Sequence, residues 1–268
     1  MSTTFEQTTL DNGLTVIAET RDHAHTAAVG FFVKAGARDE HPRQMGVSHF
    51  LEHMMFKGSD RRTADDVNRE FDEMGADYNA YTSDEMTVYY ARVLPEHLSH
   101  AVDLLGDMLR PALREADFEM EKKVILEEIG MYEDRPMWRL HDALMETHFG
   151  RHPLGHRVLG TSETVSALSA EQMRDYFQQR YGPDQITVAA AGAVDFDRLV
   201  ADVEKAAGHW TPSGAQRDYL DPAPDAGELT LTDKAIEQHY FAVMTPGPSA
   251  RDPQRYAARI LADVLGDS

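Results

Sequence analysis

Within residues 5–19, two runs of alternating apolar and polar positions flank Asp11-Asn12-Gly13, a turn tripeptide that predicts a β-hairpin. A third strand is expected over residues 27–35. Residues 45–56 are apolar over a helical length, and Thr63 caps an amphipathic helix over 64–74 that stops at Gly75. Stretches rich in Tyr, Thr and Val at 78–83 and 86–93 predict a second hairpin. Helical periodicity returns over 95–109, 115–134 and 136–148. After a Gly/Pro/His loop at 150–160, Ser169 caps a helix ending near Tyr181, residues 185–194 read as a strand, and Asp195 starts a helix to about Ala207.

Strands and helices do not alternate strictly, so the expected class is α+β, with helices packed on a largely antiparallel sheet. Residues 211–228 are rich in Pro, Gly, Asp and Ala and lack periodicity, as a linker does. Strands over 229–232 and 238–245 and a helix over 253–265 follow. The chain is therefore expected to divide into one domain over 1–211, a linker over 212–228 and the incomplete start of a second domain over 229–268.

Charge changes the picture of partners. The 268 residues carry 26 Lys and Arg against 46 Asp and Glu, a formal charge of −20. With no Lys/Arg-rich run, such a field repels nucleic acid and anionic membrane and favours cationic peptides or metal ions. No cysteine is present, so a thiolate nucleophile is excluded and any metal must be held by His, Asp or Glu. Residues 1–13 have neither the basic nor the apolar region of an export signal, and no apolar run is long enough to span a bilayer. A soluble, cytoplasmic chain is expected.

Chemistry concentrates in Ser48-His49-Phe50-Leu51-Glu52-His53-Met54. At about 100° per residue, His49, Glu52 and His53 share one arc of the helix, with Val47, Phe50, Leu51 and Met54 opposite. Histidines four apart project from successive turns and can present two imidazole nitrogens to one zinc. A catalytic zinc also needs a third protein ligand and a nearby carboxylate to take a proton from water. The helix over 115–134 offers candidates for that ligand. Taking Phe118 as 0°, its apolar residues span about 200° round to 20°, with Leu126 the one exception, and Glu121 and Glu128 fall near 300° and 280°, within that face. Glu127, near 180°, lies at its margin. Carboxylates buried without a cation are costly, so the pattern selects Glu128 or Glu121 over Glu127.

These residues carry a family resemblance. The string HFLEH lies within AGARDEHPRQMGVSHFLEHMMFKGS, and Glu128, 75 positions beyond His53, lies within EKKVILEEIGMYEDRP. With NAYTS, TVYYARV and HPLGHRVLGT further along, the chain resembles the inverted-zincin metallopeptidases of the pitrilysin/insulinase superfamily, including the mitochondrial-processing-peptidase type. The resemblance covers nearly the whole chain. It implies a zinc metalloendopeptidase with one zinc per chain, bound by His49, His53 and Glu128. It also implies that Glu52 is the general base and that Glu121 is a carboxylate assisting the site from behind the ligands. The strand at Asn79, Ala80 and Tyr81 is implied to pair with an extended substrate.

Peptides, favoured when basic, are the expected substrates, with no nucleic-acid or membrane partner. Members of the family carry a second, similar half that closes a chamber over the zinc. Two other readings therefore stand beside the enzyme: a non-catalytic peptide-binding or scaffold subunit, and a half-enzyme completed by a homologous partner chain. The remaining histidines, including His97, His100, His148, His152 and His156, read as ordinary surface or loop residues.

Overall fold

The computed structural model of the chain describes residues 3–220, 222, 227–232 and 238–266. The alternating runs pair into one six-stranded sheet made of β1 (Thr3–Thr9), β2 (Thr15–Arg21), β3 (Ala27–Val33), β4 (Asp77–Thr82), β5 (Thr87–Val93) and β6 (Ile186–Gly192). Its order is β1-β2-β6-β3-β5-β4. Only the β2–β6 pair is parallel; the other neighbours are antiparallel. The first hairpin forms as expected about residues 11–13, and its turn reaches across the fold, since Asn12 Nδ2 donates to the Ala207 carbonyl at 2.8 Å.

Among the described residues the helices are α1 (Val47–Met55), α2 (Ala64–Glu73), α3 (Leu98–Met108), α4 (Glu115–Glu133), α5 (Pro136–Phe149), α6 (Ser162–Ala167), α7 (Ala170–Arg180), α8 (Phe196–Ala207) and α9 (Arg255–Leu265). This is the expected α+β architecture. Val16, Val29, Phe31, Tyr89 and Val188 lie in the same core as Phe50 and Leu51 of α1, Leu104 and Leu105 of α3, and Leu199 and Val203 of α8. Each such side chain removed from water contributes about 1.5–3 kcal/mol. The Phe50 ring stacks on Phe118 at 4.7 Å and so locks α1 to α4, the two helices carrying the site. The six-residue α6 had no sequence-based expectation because it is too short to show a period. Its signal is the capping box of Thr161 with Thr164.

The structure departs from expectation after residue 208. No strand forms over 229–232 or 238–245, because alternation supplies only propensity and a strand needs a neighbouring edge to pair with. The first part of the expected linker is tied to the body. Asp184 accepts from the Ser213 and Gly214 amides at 2.8 and 3.0 Å, and Arg217 pairs with the buried Asp39.

The start of α1 is set by backbone geometry. Gly46 has φ +91°, and a Cβ there would meet the Leu159 carbonyl oxygen at 2.5 Å, so only glycine lets the 45–46 and 159–160 segments cross. The first amides of α1 are satisfied from a distance. Glu40 accepts from Gly46 N–H and Ser48 N–H, each at 2.7 Å, and the Ser48 hydroxyl bonds to Tyr176 OH at 2.7 Å. Burial pushes the Glu40 carboxyl up to about 8 against these hydrogen bonds. Between an unfolded value of about 4.5 and that folded value, the native state binds the extra proton. The Glu40 contribution to stability is therefore fully present below about 4.5 and is lost as pH rises through about 8. Denaturant midpoints measured between pH 5 and 8 should show this loss, and Glu40→Gln should flatten the slope while lowering stability throughout, since an amide NH2 replaces one acceptor.

Candidate active site

Helix α1 presents His49, Glu52 and His53 on one side, as its periodicity requires, and α4 brings Glu121 and Glu128 opposite them. His49 Nε2 and His53 Nε2 lie 3.8 and 3.6 Å from Glu128 Oε2. One ligand atom from each of the three residues falls within 4.8 Å of the others. Atoms each about 2.1 Å from a shared tetrahedral ion lie about 3.4 Å apart, so the spacing and the mix of two imidazoles with one carboxylate fit zinc. Among the described residues no other group of His, Asp and Glu meets that criterion.

Behind the cluster, Glu121 Oε1 takes a hydrogen bond from His53 Nδ1 at 2.9 Å, and Lys57 Nζ meets Glu121 Oε2 at 2.6 Å. That bond leaves His53 Nε2 directed at Glu128, the arrangement a ligating histidine needs. The lysine keeps the buried carboxylate charged and paired. Thr82 at the end of β4 donates to Glu52 Oε2 at 2.6 Å.

Electrostatics separate the groups. Burial, then the charge of His53, pushes His49 down to about 3, so it is a neutral imidazole; its Nδ1 is buried without a hydrogen-bond partner among the described residues. Burial pulls His53 down as well, yet its hydrogen bond to Glu121 and the charges of Glu128, Glu121 and Glu52 outweigh burial and leave it raised. Burial raises Glu121, but His53 and Lys57 reverse the sign and hold it below the usual carboxylate range. Glu52 is raised by burial, against the Thr82 hydrogen bond and the charge of His53.

The face of α4 is rotated from the sequence-based expectation. Phe118, Glu121, Ile125 and Ile129 are buried, whereas Met120, Val124 and Met131 are 64, 44 and 58 % exposed. The apolar arc is therefore half core and half open surface. Glu128 sits at the boundary between them with its side chain 28 % exposed, instead of mid-face. Glu127, expected at the margin of the face, is exposed.

Asn79, Ala80 and Tyr81 lie on β4 at the edge of the sheet, and Asn79 and Tyr81 are exposed. Asn79 Oδ1 accepts from Ala80 N–H at 2.8 Å. The other histidines do not join the cluster: His100 bonds to Glu70, His152 caps a short 3₁₀ turn, and His156 bonds to the Ala37 carbonyl. Lys57 and Thr82 were not singled out from sequence. The available signals were a lysine four residues after His53 and a threonine sharing the strand face of Ala80.

The family profile described as insulinase, peptidase family M16, matches residues 15–162, which hold all of these groups. The chain belongs to the insulinase family. A second profile, the inactive domain of the same family, matches residues 167–268 and thus begins among the elements that complete the first sheet. Over 98 % of its length the chain is 39 % identical to an uncharacterised zinc protease of Streptomyces coelicolor, covering 59 % of that protein. It is 36 % identical, over 97 % of its length and 50 % of the other, to a probable mitochondrial-processing peptidase subunit beta of Arabidopsis thaliana. In fold it is similar to a protease from Helicobacter pylori, with a TM-score of 0.77 at 22 % identity over 83 % of this chain and 54 % of that one. The chain spans about three fifths of the length of the first curated relatives it matches. Among the described residues, no helix of this insulinase-family chain is long and apolar enough to cross a membrane.

Proposed function

We propose that this insulinase-family chain is the zinc-binding, catalytic part of a metalloendopeptidase that hydrolyses peptide bonds in peptides or unfolded segments. The observation that carries the reading is the convergence of His49, His53 and Glu128 on one point, with Glu52 on the same turn of α1. These three residues would hold one zinc. When bound there, zinc supplies Lewis-acid polarisation of the scissile carbonyl and lowers the pKa of water towards about 7.

The chain's own residues divide the remaining work. Glu52 takes a proton from the attacking water and returns it to the leaving amine, so the peptide bond breaks with no net change in the protein. Glu121 fixes the His53 ring through Nδ1, and Lys57 holds Glu121 in its charged form. The open edge of β4 at Asn79, Ala80 and Tyr81 offers backbone groups to an extended substrate, which would add as a further strand. The net charge of −20 raises the local concentration of basic peptides. The uncovered stripe of Met120, Val124 and Met131 beside Glu128 supports closure of the chamber by a homologous half or partner chain.

Elemental analysis of the purified chain, paired with cleavage of an unstructured peptide before and after a chelator, tests the reading. One zinc per chain and cleavage that the chelator removes and zinc restores are expected. Stoichiometric zinc without cleavage of any peptide would favour a peptide-binding subunit, and absence of zinc binding would overturn the site.

A further inference from the structure

Glu52 reaches its position through three rotatable bonds, and a base is useful only while its proton-accepting oxygen stays put. Among the described residues one side-chain hydrogen bond governs it: the Thr82 hydroxyl donates to Glu52 Oε2 at 2.6 Å. The direction of that bond follows from counting protons. Thr87, opposite Thr82 in the β4–β5 ladder, gives its hydroxyl proton to the Ala35 carbonyl at 2.9 Å. Towards Thr82 it can then act only as an acceptor, at a longer 3.4 Å. The shorter contact therefore takes the Thr82 proton. With Oε2 engaged, Oε1 is the oxygen left to accept a proton, and Oε2 can keep its bond while that proton is held.

We propose that Thr82 is the positioning residue of the base, fixing the Glu52 carboxylate in one rotamer with Oε1 free for proton transfer. This rests on the peptidase reading above. Thr82 lies two residues beyond Ala80 and on the same face of β4, so the strand offered to substrate also carries the group that aims the base. Docking and catalysis thus share one rigid element, and their contributions can be separated by substitution. Valine matches threonine in shape and in strand preference but lacks the hydroxyl, whereas serine keeps the hydroxyl and loses a methyl.

The test uses Thr82→Val and Thr82→Ser in the zinc-loaded protein with an unstructured peptide. For Thr82→Val we expect kcat to fall by about 10- to 100-fold with KM and zinc content unchanged, and for Thr82→Ser we expect most of the rate to return. Crystal structures of both variants give a readout independent of turnover: Glu52 should leave its single rotamer in Thr82→Val and keep it in Thr82→Ser. An unmoved Glu52 in Thr82→Val, an unchanged kcat, or a loss expressed only in KM would overturn the proposal. Failure of the unaltered chain to bind zinc or cleave peptides would instead count against the peptidase reading, and the rotamer comparison would still decide the role of Thr82.

Discussion

The Glu52→Gln substitution should leave zinc at one equivalent per chain and lower kcat by about 10²- to 10⁴-fold. Glutamine has nearly the volume of glutamate and keeps a carbonyl oxygen that can accept the Thr82 hydroxyl, so neither the helix nor the rotamer is disturbed. What it loses is the capacity to take a proton. Zinc is expected to remain because Glu52 is not among the three proposed ligands. Elemental analysis with initial rates measured beside the unaltered chain checks both halves of the result. Wild-type rates in the variant would remove Glu52 from the reaction.

His53→Ala has the second large effect, on metal binding. It leaves His49 and Glu128 of the three proposed ligands and strips Glu121 of the His53 hydrogen bond, with Lys57 remaining. In the unaltered chain, zinc at 1,000 times its dissociation constant should stabilise the fold by about 4 kcal/mol, read as a rise in melting temperature. In the variant that rise should vanish and the zinc content should fall towards zero. Lys57 still neutralises Glu121, so the metal-free variant should fold. A variant that binds zinc as tightly as the unaltered chain would mean that the ion sits elsewhere.

Parts of this site were legible in the residue order for identifiable reasons. A helix repeats every 3.6 residues regardless of its surroundings, so the shared side of His49, Glu52 and His53 followed from spacing alone, whereas the selection of Glu128 or Glu121 over Glu127 also needed the cost of burying a carboxylate without a cation. The exposure of Met120, Val124 and Met131 did not, because a periodic pattern shows that a face is apolar and not what covers it. Alternation over residues 238–245 failed in the same way, since strand pairing depends on a distant partner. Thr82 and Lys57 escaped notice because each is defined by a contact between elements: β4 with α1, and the end of α1 with α4.

The place of β6 in the sheet bears on how the chain is made. Strands β2 and β3 do not pair with each other; β6 lies between them, and its last residue is 159 positions beyond the end of β3. At a synthesis rate of about 5–20 residues per second, both edges wait on the order of ten seconds or more for their common neighbour to leave the ribosome. During that interval α1, with its histidines, has only a split sheet to pack against. A nascent chain ending before residue 186 would carry every proposed zinc ligand and lack the strand that joins the sheet, and its two open edges would be exposed to aggregation and to chaperones.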